Sequence, residues 1–124
     1  MKTTVQNISD FLGSIVSFNN SIKLYHWHVS GEHSYSQHIA LDQALEALLE
    51  TTDRIVETQY ALNGDLDIVV PQTTTPKDIV KHVEDFYNYL EAKRALFEEA
   101  FTQAIIDDAQ EALQQLLYRL KRLK

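Results

Sequence analysis

His38, Asp42, Asp53 and Glu57 carry a spacing that metal chemistry could use: successive separations of four, eleven and four residues. In an α-helix, side chains four apart stack on one face, and eleven residues return to nearly the same angle after three turns. The four groups therefore fall within about 100° of arc on one stripe, with Glu46 and Glu50 on much the same side. The plain alternative is a solvated acidic face. Against it, aspartate is a poor residue for a helix interior, and a histidine joins the acids on their own stripe. Imidazole and carboxylate donors without thiolate suit Fe(II), Mn(II) or Zn(II).

Length decides how such a stripe could be used. At ~1.5 Å per residue, His38 and Glu57 stand ~28 Å apart along one helix, and Asp42 and Asp53 ~16 Å. No single ion spans that. Two copies of the helix, antiparallel about a two-fold axis near Ala47–Leu48, bring opposite ends together. The expectation is two identical inter-subunit sites, each with His38 and Asp42 from one chain and Asp53 and Glu57 from its partner. His26, near the end of the preceding helix, can join the His38 end.

The other histidines differ. His28 is two residues from His26, so it faces elsewhere and is expected at the surface. His33 falls in the turn between helices and is expected in solvent, with an auxiliary part in metal entry as the alternative. His82 has no partner legible in the sequence and is expected in a surface or capping role.

The elements that position these groups follow from apolar periodicity. A first helix is expected from about Asn7 to Ser30, with Phe11, Ile15, Phe18 and Ile22 on one stripe. Gly31 suits the left-handed position beyond its end. Ser34 with Gln37 reads as a capping box opening a second helix that runs to the Asn63–Gly64 stop signal. The polar, β-rich connector "DLDIVVPQTT" follows. Thr75, Pro76 and Asp78 then supply cap, first-turn proline and capping acid for a third helix, whose apolar face continues through Phe97 and Phe101. Asp108 with Glu111 is expected to cap a fourth helix carrying Leu113, Leu116, Leu117 and Leu120. Four amphipathic helices around one core make an all-α four-helix bundle in a single domain, residues 1–124. The connector spans a bundle only if extended, at ~3.3 Å per residue, which makes a crossover between helices 2 and 3 plausible.

Bulk composition narrows the function classes. The 124 residues are 44% hydrophobic and 23% charged, an ordinary globular balance. There is no cysteine, which removes disulfides, thiolate metal sites and cysteine nucleophiles. A net charge of −7 repels phosphate backbones and argues against nucleic acid as a partner. No apolar run approaches the ~18–20 residues of a membrane span, and no signal-peptide pattern opens the chain, so a cytoplasmic, membrane-free setting is the expectation. Within-subunit Glu-x-x-His pairs, a His-Glu-x-x-His zinc motif, a phosphate-binding glycine loop and a Gly-x-Ser-x-Gly elbow are all missing from the sequence.

Taken together, His26-Trp27, Gly31, His38, Asp42 and the Asp53–Glu57 segment "DRIVE" resemble the Dps-like miniferritins of the ferritin superfamily. The match is firm from about Phe11 to Gly64 and loose beyond. The resemblance implies a ferritin-like bundle with a crossover between helices 2 and 3. It implies a ferroxidase centre at a two-fold interface, where Fe(II) is oxidised to Fe(III) by hydrogen peroxide or oxygen for iron storage or protection from oxidative stress. His26, His38 and Asp42 would come from one subunit, Asp53 and Glu57 from its mate, and Trp27 would be the redox-active aromatic beside the iron. It also implies a homo-oligomer built on that dimer, up to a shell of twelve subunits. The connector is shorter than the family's and lacks its extra small helix, and no lysine-rich segment precedes the first helix, which again disfavours DNA. The alternative function is a non-catalytic assembly protein of the same fold that binds zinc, manganese or iron.

Overall fold

The computed structural model describes residues 1–123, and all regular structure among them is helical. Four helices occur in the order α1 (Thr4–His28), α2 (Ser34–Asn63), α3 (Ile79–Lys93) and α4 (Ala100–Arg122), with one turn of 3₁₀ helix, Arg94–Leu96, after α3. They pack together as a bundle. None is long and apolar enough to cross a membrane.

Neighbours are fixed by side chains of widely separated residues. Asn19 donates to Thr52 between α1 and α2 (2.8 Å). Gln59 donates to Thr102 (3.1 Å) and Arg54 to Asp108 (3.0 Å) between α2 and α4. Lys121 reaches Glu84 (2.9 Å) and Gln110 reaches Glu91 (3.2 Å) between α4 and α3. Between α1 and α3 the contact is aromatic, with Phe18 and Phe86 parallel at 3.9 Å and Phe11 against Tyr89 at 5.8 Å. With His26 beside Asp42 as a second contact between α1 and α2, the numbers in every pair rise on one helix as they fall on the other, so each pair is antiparallel. Phe11, Leu12, Ile22, Leu41, Val83, Leu90, Ile106, Leu113 and Leu116 are fully buried at the centre. Burying such side chains supplies roughly 1.5–3 kcal/mol each.

The connector between α2 and α3 is irregular and lies against α1. A Cβ on Gly13 would sit 2.1 Å from the Val69 carbonyl oxygen, so the backbone there touches the helix where it has no side chain. Four residues on, Ser17 and Thr73 share a hydroxyl hydrogen bond of 2.7 Å.

Several element ends differ from the sequence reading. Helix α1 starts at Thr4 instead of Asn7, because Thr3 and Gln6 form a reciprocal capping box. The box expected of Ser34 and Gln37 does not form. Ser34 is the first helical residue and follows a turn through Gly31 (φ 86°), and His33 before it is itself left-handed at φ 67° without a side-chain cap. For α3 the cap is Asp78, whose carboxylate accepts from the Lys81 amide, while Thr75 and Pro76 stay outside. The largest difference is the break after α3. The expected helix through Phe101 stops at Lys93, and α4 begins at Ala100, eight residues before Asp108. Gln103 explains it: its amide donates to the carbonyls of Arg94 (2.9 Å) and Phe97 (2.8 Å), which lie in the turn that the helix would otherwise continue through. Phe97 is buried after the break, whereas Phe101 faces out. Asp108 sits exposed in mid-helix, paired with Arg54.

Candidate metal centre

His26 lies one residue short of the penultimate position of α1, and the short turn at Gly31 folds α2 back over it. His38 and Asp42, one helical turn apart, then face it from the second and third turns of α2. One potential ligand atom from each of His26, His38 and Asp42 falls within 4.8 Å of the others. No other such group of three histidine or acidic residues occurs among the described residues.

Each member is held differently. His26 is buried, and its Nε2 stands 3.0 Å from Asp42 Oδ1. That contact is off the line of a ring hydrogen bond, so neither ring nitrogen of His26 has an aligned partner in the protein. Two ligands at right angles, each ~2.1 Å from a metal, stand ~3.0 Å apart. His38 is half-buried, and its ring stacks on that of His26 with centroids 3.7 Å apart. Its Nδ1 lies 3.0 Å from the His26 carbonyl oxygen. A carbonyl can only accept, so Nδ1 carries a proton, and in the neutral tautomer Nε2 is the nitrogen with the free lone pair. A second hydrogen bond that fixes tautomer and ring orientation is the usual support of a metal-bound histidine. Asp42 is exposed, so the cluster opens to solvent on the carboxylate side. Two imidazoles and a carboxylate form the donor set typical of non-haem Fe(II), and one that Zn(II) also accepts.

Asp53 and Glu57 are on the exposed face of α2, outside this cluster. The chain thus brings together three of the five expected ligands and leaves two apart. Trp27 is 67% exposed, with Lys23 Nζ 5.3 Å from its ring centroid. His28 and His33 are exposed, as expected. His82 is not a surface or capping residue. It is half-buried between α3 and α1, with Nε2 2.7 Å from Ser21 Oγ and its ring 5.1 Å from that of Phe18. The sequence reading missed the pair because their sixty-one-residue separation leaves no local pattern. It also missed the His26 carbonyl that orients His38, since a backbone atom has no sequence signature.

No curated protein and no solved structure matches the chain. One protein family does, over residues 26–120, a segment that opens on His26 and contains all five expected ligands. That segment is well over half of the 124 residues, and the chain belongs to this family, DUF5856, described as a family of unknown function.

Proposed function

We propose that the chain is a ferritin-like iron-binding protein of the Dps type, which oxidises Fe(II) at sites completed by a second copy of itself. The observation that carries the reading is the His26–His38–Asp42 cluster, in which a buried imidazole has no aligned hydrogen bond. Leaving a buried polar group unpaired costs roughly 1–3 kcal/mol, a cost that ligation of a cation removes.

The crossover of a ferritin-like bundle is supported by the connector's path. Gly13 meets Val69, Ser17 meets Thr73, and Ser21 meets His82 at the start of α3, so chain order climbs along α1. The two-fold pairing is supported by the outer face of α2. Ile39 and Leu49 are exposed there beside Asp42 and Glu46, and they border one shallow groove. An antiparallel copy of α2 would cover these apolar groups and bring Asp53 and Glu57 of the partner toward His38 and Asp42.

In this reading iron is the substrate. The imidazoles of His26 and His38 favour Fe(II), and the carboxylates hold the harder Fe(III) product. With hydrogen peroxide as oxidant, two Fe(II) each lose one electron; the O–O bond breaks and two protons are taken up to give two waters. Trp27, next to His26 in the chain, would be the redox-active aromatic, and a shell of twelve subunits is the larger assembly to which such a dimer would belong. The experiment is rapid mixing of the protein with Fe(II) and peroxide, followed by ferric absorbance, with native mass and metal content measured on the same sample. Rapid ferric absorbance in a dimer or larger assembly supports the proposal; a metal-free monomer without that absorbance overturns it.

A second reading rests on the same cluster. Its three ligands come from one chain, so a zinc, manganese or iron ion can be held without a partner and without oxidation. Metal bound stoichiometrically with no catalysed ferric signal selects it.

A further inference from the structure

An opening apart from the candidate metal centre lies between α1 and α3. The two helices stand apart there, and the connector passes over one side, closed down by the Ser17–Thr73 bond. The cavity measures about 510 Å³, within the ~300–1,000 Å³ of small-molecule sites. It shares no residue with the His26–His38–Asp42 cluster.

Its walls select a ligand by chemistry. One side is a file of near-parallel rings: His82 on Phe18 (5.1 Å, 20°), Phe18 on Phe86 (3.9 Å, 4°) and Phe86 on Tyr89 (5.6 Å, 23°). The rings cover one another's faces within the file, so what they leave for a guest is mainly their edges, which suit edge-to-face contact with the π face of a planar aromatic. The polar groups are hydroxyls, an amide, the His82 imidazole and the Asp85 carboxylate, and no lysine or arginine lines the cavity. Ser21 donates its only hydrogen to the Phe18 carbonyl (2.6 Å), so at 2.7 Å its oxygen accepts from His82 Nε2. That assignment puts a proton on Nε2, and in the neutral ring it leaves Nδ1 as an acceptor. Burial lowers the His82 pKa, against the opposing pull of Asp85, and so keeps the ring uncharged at neutral pH. Asp85 is mostly exposed and tied only to exposed Lys81 at 2.9 Å, a surface pair that an incoming ammonium displaces at little cost. The same arrangement excludes the Ser21–His82 pair from nucleophilic catalysis, because the imidazole donates to the hydroxyl instead of accepting its proton.

From these groups we infer that the cavity is a binding site for a small planar aromatic molecule carrying a protonated amine, with the ring among Phe18, Phe86 and Tyr89 and the ammonium at Asp85. Phosphorylated and carboxylated ligands find no cation in the walls.

Tryptamine is a suitable probe, with indole-3-acetate as the same ring bearing the opposite charge. Amide-resolved NMR titration of the full chain is expected to move signals of residues 14–21, 72–74 and 82–89 with tryptamine, at a Kd below ~1 mM. Indole-3-acetate is expected to bind at least ~10-fold more weakly. Asp85→Asn, at an exposed position that leaves folding intact, is expected to weaken tryptamine about fivefold, the size of one partly exposed ion pair. Ser14→Phe, which fills the cavity from α1, is expected to abolish the shifts. Absence of shifts, equal binding of the two indoles, or unchanged affinity in Asp85→Asn each overturns the inference. The Asp85→Asn result stands even if Ser14→Phe fails to fold.

Discussion

His38 Nδ1 lies 3.0 Å from the backbone carbonyl of His26, while the two rings stack at 3.7 Å. One residue therefore serves twice, contributing an imidazole to the cluster and a carbonyl that holds the other imidazole by its Nδ1. The two histidines are twelve residues apart on different helices, and the orientation of one depends on the main-chain position of the other. Substituting His26 removes its ring but leaves its carbonyl, so the two roles separate by mutation.

Metal binding should raise the melting temperature. Ligand at ~100-fold over its Kd stabilises by about 2.7 kcal/mol. In thermal melts with Zn(II) or with anaerobic Fe(II), Asp42→Ala is expected to lose most of the response. Asp53→Ala with Glu57→Ala is expected to reduce it and to weaken the proposed metal-dependent dimer, with native mass as the measurement. An undiminished response in the double variant removes Asp53 and Glu57 from the site while leaving the three-ligand cluster standing.

Gly13→Ala is expected to destabilise the protein, although alanine is ~1 kcal/mol the better helix residue. The new Cβ would lie 2.1 Å from the Val69 carbonyl oxygen, and backbone cannot step aside as a flexible side chain can. Overpacking of this kind costs ~1–3 kcal/mol. Urea denaturation gives the sign, and hydrogen exchange should locate the loosened amides around residues 68–74. A stabilised Gly13→Ala protein would show that the connector does not rest on α1.

Arg94 closes the turn between α3 and α4. Its guanidinium donates to Glu91 (3.0 Å), Gln103 (2.8 Å), Gln110 (2.6 Å) and Asp107, with only 19% of its side chain exposed. Arg94→Ala is expected to cost about 2–3 kcal/mol, the usual range for charged hydrogen bonds in a partly buried setting. Arg94→Lys should recover little of it, since an ammonium cannot reproduce the planar fork. Equal stability of the lysine variant and wild type in urea contradicts this account.

These elements also show how far the sequence could be read. The four helices and the Asn63–Gly64 stop follow from periodicity and backbone chemistry, because α-helical faces repeat locally. So does the clustering of His26, His38 and Asp42, which needs only one turn between two helices. The break at residues 94–99 was hidden because the apolar pattern runs on through Phe97, and what ends the helix is Gln103 reaching back from α4. The Ser34–Gln37 box failed because the turn at Gly31 and His33 placed Ser34 inside the helix. The Ser21–His82 bond depends on which helices become neighbours, which local spacing does not encode.

Acid should weaken the fold partly through His82. Burial lowers its folded pKa below the ordinary value of 6.5, with Asp85 pulling the other way. The unfolded chain then binds the proton more readily, so this contribution is full above 6.5 and is lost as pH falls from there through the depressed folded value. Comparing melting temperatures of wild type and His82→Gln from pH 7.5 to 5 isolates it. The variant is expected to show the shallower decline, and parallel curves would assign the acid sensitivity elsewhere.

The notch at Gly13 has a consequence for how this chain can vary in length. Because the Val69 carbonyl seats in it and Ser17 holds Thr73 one turn further on, the connector is pinned like a ruler at two marks. Residues added between Gly64 and Leu66 can bulge outward before the first mark and leave α3 where it is. One residue added between Val69 and Thr73 puts the two marks out of step, and either the notch or the hydroxyl pair must be given up. Insertions among relatives and engineered tags should therefore be accepted on the α2 side of Val69 and refused beyond it.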